Sequence, residues 1–430
     1  VAFGEAGFLG DFHQFLGGDP SDPNSSGLSV ISWVMLLLGY SYIASVLPVW
    51  TLLQPRDYIN SLQLLSALGL VVLGLIAACF LGGAAPTPGA ERPTLEIVAP
   101  AFNFSPEGAP SIFPFLFITI ACGAISGFHC LVSSGTSSKQ LKCESDAQFV
   151  GYGSMLTEGF LAVLVILACI SGLGLGTGDG EDFRSGSAAF EARYASWDAA
   201  KGLGAKVGAF VEGSANFLKS LGLPAKFSIA LMGVFVASFA ATTLDTACRL
   251  QRYVVQELAV TLAPRHRVDG KRNGDFVNGN PLFWLTNRHA ATLFAITIAF
   301  FIAQLPGGEG KAAGTGGLLL WPLFGAVNQL LAGLAFLVIT FWLRRRGLPY
   351  FLALIPGILM LILPAIAMSL NLRDFADKNS WLLFGFGFTT IIIEVWMIVE
   401  AISVWKKSKG ILEIEENRPE ATGNEGGRSC

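Results

Sequence analysis

Four ionisable side chains interrupt long apolar segments of the sequence, and proton transfer is the chemistry that such groups offer there. Glu158 and Glu394 fall near the middle of their segments, whereas His129 and Asp245 lie nearer one end. A charge at the bilayer centre costs about 2.5–3.5 kcal/mol on insertion scales, so a retained ionisable group usually marks a pathway or has a partner. We expect Glu158 to bind and release protons, unless a neighbouring hydrogen bond keeps it neutral. Glu394, in the last segment, is interpreted as a structural or oligomer contact.

His129 and Asp245 are candidates for one proton relay. They occupy similar depths in two segments that run in the same direction, so they can form a pair if the segments are neighbours. Histidine titrates near neutral pH, which suits a relay. The alternative is a His129 that only packs within the protein.

Two stretches rich in small residues, 123–136 and 237–246, predict irregular helices. Small residues let helix backbones approach closely. They also tolerate breaks, at which free backbone groups can hold an ion or a carboxylate. Ser126 lies in the first stretch, and Thr242 and Thr243 lie in the second. Close packing alone is the alternative, and the two threonines keep Na⁺ open as a coupling ion beside H⁺.

Two adjacent amides, Asn328 and Gln329, also lie near the middle of an apolar segment. Neutral amides at this depth either bind a polar substrate or join helices by hydrogen bonds. Both interpretations stay open.

The stretch 48–58, between the first two apolar segments, contains three gate candidates. Gln54 precedes Arg56 and Asp57, and because the last two are adjacent they should point differently and need partners elsewhere. They could form an inner gate, or Arg56 could attract an anionic substrate. The alternative is that Asp57 caps the helix that follows.

The composition determines the class of protein. Of 430 residues, 52% are hydrophobic and only 14% are charged, against about 25% in ordinary soluble domains. Mean hydropathy is +0.57 and the formal net charge is −3. These values argue against a soluble enzyme, a disordered chain and a nucleic-acid binder. They favour an all-α, polytopic helical membrane protein.

Runs of about 20 apolar residues can cross a bilayer as helices. The sequence predicts nine such spans, at 28–49, 58–81, 112–133, 149–173, 227–244, 289–306, 318–343, 348–370 and 381–405. The transmembrane region is therefore expected at 28–405.

Basic residues predict the orientation of the spans. One alternate set of loops holds 18 of the 28 Lys and Arg residues, so we expect this set to be cytoplasmic. The segment 1–27 then lies outside and the tail 406–430 inside. A long external loop is expected at 174–226, with a helical insert at 190–221, and a cytoplasmic loop at 246–288. Because the chain begins at Val1 without a signal peptide, we expect spans that precede it to be missing.

No cofactor, metal or catalytic residue is expected. The seven cysteines have no metal-site spacing, and the sequence contains neither HExxH nor GxSxG. It contains no phosphate-binding loop, which argues against ATP-driven transport. The coupling ion would be H⁺ or Na⁺.

Four stretches resemble the carbon starvation protein A family. They are LPVWTLLQPRDYIN at 47–60, GAISGFHCLVSSGT at 123–136, TTLDT at 242–246 and LWPLFGAVNQLLAG at 320–333. The resemblance runs from about residue 28 to residue 405. It implies a multi-pass transporter of the bacterial inner membrane that imports peptides or pyruvate during carbon starvation, driven by protons. It also implies a relation to transporters built from inverted five-helix repeats, and an additional N-terminal hydrophobic region that this chain lacks.

The leading hypothesis is therefore a secondary transporter that imports a small carboxylated nutrient with protons. Its partners would be the lipid bilayer and the small-molecule substrate, with no nucleic acid, and a homo-oligomer stays open. The alternative is a membrane sensor or signalling partner that binds the nutrient without moving it.

Overall fold

The computed structural model describes residues 28–87, 89–104, 108–178, 182–197, 200, 203–262, 281–305, 307 and 314–408. The predicted external segment 1–27 lies outside these residues, as do 263–280 of the predicted cytoplasmic loop and 409–430 of the tail.

The described residues are mainly helical, and their one β-feature is a bridge between Thr177 and Arg184. The helices are α1 (Val30–Val46), α2 (Val49–Leu81), α3 (Phe117–Ala124), α4 (Gly127–Gly135), α5 (Asp146–Leu167), α6 (Ser187–Tyr194), α7 (Leu203–Ser220), α8 (Ala225–Leu262), α9 (Pro281–Trp284), α10 (Arg288–Gln304), α11 (Trp321–Arg345), α12 (Phe351–Asp377) and α13 (Trp381–Trp405). The prediction of an all-α polytopic membrane protein is confirmed.

Within the described ranges, seven helical segments are long and apolar enough to cross a membrane. They are Val49–Leu81, Ile112–Lys139, Asp146–Leu175, Ala225–Leu262, Gly316–Arg345, Phe351–Asp377 and Trp381–Trp405. The first and sixth predicted spans form the shorter apolar helices α1 and α10, each of 17 residues. At 1.5 Å per residue these two reach about 25 Å, somewhat less than the roughly 30 Å hydrocarbon core.

The described residues fall into two compact units. The first contains residues from 1–109 and 148–301, and the second contains residues from 110–147 and 302–430.

The core of the first unit contains a helix from the region predicted to be an external loop. Two helices, α6 and α7, form there, as the helical insert predicted. Phe217 and Leu218 of α7 are fully buried and pack with residues of α2, α5 and α8. Gly74 of α2 lies directly against the Phe217 carbonyl, and Gly213 of α7 lies against the Ala168 carbonyl. Small residues therefore allow this helix to approach its neighbours closely.

Gly213→Ala should destabilise the first unit by about 1–3 kcal/mol, because the added methyl group would overlap the Ala168 carbonyl. Gly208→Ala, in the same helix, is the matched control. It has open space around it and should be neutral, or stabilising by up to about 1 kcal/mol through helix propensity. Chemical denaturation of the two purified variants measures the difference, and equal stabilities would contradict the close approach at Gly213.

In the second unit, α11, α12 and α13 pack together around Leu323, Ala326, Met368 and Phe375. The pair α3 and α4 packs against α11.

Candidate functional site

A buried ion pair joins α2 to α8 in the first unit. The Asp245 side chain has no exposed surface, and its Oδ2 forms an ion pair with Nη1 of Arg56. The Tyr40 hydroxyl of α1 donates to the same carboxylate oxygen at 3.0 Å, and the Thr246 hydroxyl donates to Oδ1 at 3.3 Å. We call Tyr40, Arg56, Asp57, Asp245 and Thr246 the Arg56 cluster.

The other edge of the Arg56 guanidinium pairs with Asp57. Nη2 and Nε lie 2.7 and 3.2 Å from Asp57 Oδ1. The Asp57 side chain is 46% exposed, against 17% for Arg56. The expectation that Arg56 and Asp57 point differently is therefore wrong, whereas Arg56 does have its partner elsewhere. One guanidinium faces one buried and one exposed carboxylate, so the formal charge of the cluster is −1.

Helix α2 begins much earlier than the sequence predicted. It starts at Val49 and includes Pro55, so only Leu47 and Pro48 separate it from α1. Asp57 therefore lies inside a helix and does not cap one. Membrane helices tolerate an interior proline when neighbouring groups satisfy the freed backbone. Gln54, the third gate candidate, is exposed on the same helix.

Arg249 fixes the end of α1 and was missed by the sequence analysis. Its guanidinium is buried and donates to the carbonyl oxygens of Ala44 and Leu47 (2.7 Å to the latter). A cation at a helix C-terminus also complements the helix dipole. The sequence did contain a signal, since Arg249 lies four residues after Asp245 and shares its side of the helix.

A second set of hydrogen bonds joins the same two helices one turn further along. The buried Asn60 amide donates to Thr242 Oγ1 at 2.7 Å and accepts from Ser238 Oγ at 2.8 Å. Thr243, by contrast, is exposed and bonds to Phe239 O of its own helix. The break predicted at 237–246 is wrong, because α8 continues through it as one helix of 38 residues. Its small and hydroxyl side chains serve close contact between helices.

In the second unit, Asn328 fills a break in the third predicted span. Helix α3 ends at Ala124 and α4 begins at Gly127, with Ile125 and Ser126 in extended or irregular conformations. Asn328 Oδ1 accepts from the Phe128 N–H at 2.9 Å and from Ser126 Oγ at 3.1 Å. The amide nitrogen lies 3.0 Å from Ser126 Oγ and 3.2 Å from Cys122 Sγ.

The other candidates of this unit have different environments. Gln329 is 1% exposed, and neither of its amide atoms has a hydrogen-bond partner in the part of the chain that the structure describes. His129 is exposed on α4. It belongs to the second unit and Asp245 to the first, so their pairing stays a prediction.

Glu158 lies on an exposed face of α5, outside the packed core of the first unit, and its proton-binding role stays a prediction. It lies on an open groove of about 780 Å³ in the first unit, among apolar residues that include Leu64, Leu161, Phe235 and Phe239. The physical reason for this exposure is the face of α5 on which it lies. Leu164 is the buried residue of that helix, and a spacing of six residues places Glu158 on another side. Among the residues described, no group of three or more His, Cys, Asp or Glu side chains could hold a metal ion.

Comparison with known proteins identifies the family. The profile of the family described as "Carbon starvation protein CstA" matches residues 20–176 and 191–367. Peptide transporter CstA of Mycobacterium tuberculosis (strain ATCC 25618 / H37Rv) is 33% identical over 78% of this chain and 45% of its own length. Peptide transporter CstA of Escherichia coli (strain K12) is 33% identical over 77% and 48%. Pyruvate/proton symporter BtsT of the same strain is 30% identical over 78% and 50%.

The chain spans about half the length of the curated relatives it matches. No solved structure matches it. The relation to inverted five-helix-repeat transporters therefore stays a prediction. The family match covers most of the chain and includes the Arg56 cluster and the Asn328 break. This multi-pass helical membrane protein belongs to the carbon starvation protein CstA family.

Proposed function

We propose that this chain belongs to a secondary transporter that imports a small carboxylated nutrient, a peptide or pyruvate, together with protons. The printed names of the relatives, peptide transporter and pyruvate/proton symporter, support this class. The single structural observation that carries it is the Arg56 cluster, in which a partly buried guanidinium faces two carboxylates. The site is in the bacterial inner membrane and serves nutrient uptake during carbon starvation.

In the proposed cycle, the substrate carboxylate replaces Asp57 on the guanidinium. Asp57 is the exposed partner, and the Nε–Nη2 edge that it occupies suits a bidentate carboxylate. Asp245 and Tyr40 hold Arg56 in place from the buried side. When Asp57 leaves the guanidinium it takes up one proton. One substrate anion then enters with one proton, and the formal charge of the cluster stays at −1.

The Arg56 cluster also serves as the inner gate in this proposal. The distribution of basic residues supports a cytoplasmic position for this end of α2 and α8, with the start of the chain outside and its end inside. Release of the substrate lets Asp57 lose its proton to the cytoplasm and return to Arg56.

Uptake by the full chain, purified and reconstituted in liposomes, tests the proposal. Labelled pyruvate or a labelled dipeptide should accumulate when the lumen is made alkaline, and a protonophore should abolish the accumulation. Sodium is varied separately. Accumulation driven by a sodium gradient without a pH gradient would show that Na⁺, and not H⁺, is the coupling ion. Binding without accumulation would instead favour a nutrient sensor.

A further inference from the structure

Glu394 and Gln329, two buried side chains of the second unit, have polar atoms without a hydrogen-bond partner among the described residues. Glu394 of α13 is 3% exposed, and its Oε1 has no hydrogen-bond partner among the described residues. Gln329 of α11 is 1% exposed, and neither its amide nitrogen nor its amide oxygen has a hydrogen-bond partner among the described residues. Unsatisfied polar atoms at such burial are costly and call for an explanation.

The packing of α11 against α12 places Gln329 opposite Pro364. The two helices run antiparallel, and three contacts share one register. Asn371 Nδ2 donates to Pro322 O at 3.3 Å, Gly333 lies against the Met360 carbonyl and Leu361, and Gly357 lies against Phe336. Gln329 is one turn before Gly333, on the same side of α11, so the register sets it level with Pro364.

The packing of α13 brings Glu394 to the same level. Helix α13 runs parallel to α11, with Leu323 near Gly387, the Phe341 and Trp405 rings 5.7 Å apart, and Arg344 Nε 3.2 Å from Ser408 Oγ. In all three pairs, the later residue follows its α11 partner by the same number of positions in the sequence. That offset sets Glu394 level with Leu330, the neighbour of Gln329.

Gly387 also lies against Leu372 and Met368 of α12. Glu394 follows Gly387 by seven residues, so it faces the same way, toward the part of α12 that contains Pro364. Its burial within this bundle removes the interpretation of Glu394 as an oligomer contact.

A backbone carbonyl adds a third polar group at this level. Pro364 has no N–H to donate to the Met360 carbonyl four residues earlier. That carbonyl oxygen lies beside Gly333, one turn from Gln329. The level therefore contains a carboxyl group, an amide and a carbonyl without its usual helical donor.

No titratable or charged side chain of α11 or α12 faces Glu394 in the part of the chain that the structure describes. On α11 the nearest is Arg344, 14 residues beyond Leu330 and therefore roughly 21 Å along the axis. On α12 the nearest is Arg373, nine residues beyond Pro364, roughly 13 Å away and exposed. The charge of an ionised Glu394 would thus have no cation at its own level.

We infer that Glu394, Gln329 and the Met360 carbonyl form a proton-binding site in the α11–α13 bundle. The ionised carboxylate takes up one H⁺, which removes its charge and creates an O–H donor. Gln329 Oε1 and Met360 O are the acceptors at its level that such a donor could reach. The inference rests on the proposed proton-coupled function and adds Glu394 of the second unit as a proton-binding carboxyl beside Asp57 of the Arg56 cluster.

Infrared difference spectra of the reconstituted full chain, recorded between acidic and alkaline buffers, test this site directly. Glu394→Gln should remove a carboxylic-acid C=O band, while Glu400→Gln, at an exposed position of the same helix, should leave that band unchanged. Gln329→Leu keeps the carboxyl group but removes one acceptor, so the band should persist at a shifted frequency. This second variant still tests the site if Glu394→Gln does not fold.

The spectra test the proton site and the uptake assay tests the transport function, so either proposal can be refuted without the other. A band that survives Glu394→Gln, or one that responds to sodium in place of pH, overturns the proton site even if the chain transports with protons. A band lost in Glu394→Gln supports the site even if the chain accumulates no pyruvate or dipeptide.

Discussion

Replacing Arg56 by Gln is expected to lower the free energy of unfolding by about 3–5 kcal/mol, because it leaves a fully buried carboxylate without its cation. Tyr40 and Thr246 would still donate to Asp245, but two hydroxyl groups do not compensate a buried charge. Denaturation of the purified chain in detergent measures the loss.

The double variant Arg56→Gln, Asp245→Asn should recover most of that stability, because no charge is then left buried. It should nevertheless fail to accumulate substrate, because the guanidinium that holds the substrate carboxylate is gone. Recovered stability together with lost transport would show that Arg56 has a role in transport beyond its structural ion pair with Asp245. A double variant that transports like the original chain would refute the role of Arg56, and one as unstable as the single variant would refute the burial argument.

Arg193→Gln is the matched control for the loss of an arginine from an ion pair. Arg193 pairs with Glu212 in the same unit, but its side chain is 40% exposed. Exposed pairs contribute at most about 1 kcal/mol, so this variant should remain nearly as stable as the original chain and should transport normally.

The sequence predicted the class of fold and singled out Arg56, Asp245 and Asn328, but not the contacts that these residues make. The length of an apolar run predicts a membrane helix, because the thickness of the bilayer sets the length of a helix that spans it. All nine predicted spans correspond to helices. The sequence predicted a partner for Arg56 without naming it and offered His129 as the partner of Asp245, whereas the structure pairs Asp245 with Arg56.

The length of an apolar run does not show whether the polar stretch beside it belongs to the same helix. The sequence therefore placed the start of α2 after Pro55, although the helix begins at Val49. It also predicted a break at 237–246, where α8 is continuous.

The face on which a side chain lies is what the sequence could not supply. Glu158 and Glu394 look alike in sequence, since each is a single carboxyl near the middle of an apolar run. The three-helix packing of α11, α12 and α13 buries Glu394, whereas α5 turns Glu158 toward an open groove. An all-apolar helix has no polar side to reveal its orientation, so only the tertiary contacts distinguish the two carboxyl groups.

Asn328→Leu should destabilise the second unit by about 2–4 kcal/mol, since it removes hydrogen bonds worth about 0.6–1.7 kcal/mol each in membrane helices. The Phe128 N–H and the Ser126 hydroxyl would lose their acceptor at the break between α3 and α4. Denaturation measures the stability, and the uptake assay should show a loss of transport, because the break is where free backbone groups can serve an ion or a carboxylate.

Gln329→Leu is the control one residue away. It has the same change in chemistry and similar burial, but the amide it removes has no partner among the described residues. In alkaline buffer, where Glu394 has no proton to donate to Gln329, stability should therefore be unchanged or improved. Equal losses in the two leucine variants would mean that any amide in α11 is needed for packing. A large loss confined to Asn328→Leu would instead show that the stability depends on the hydrogen bonds that Asn328 makes across the helix break.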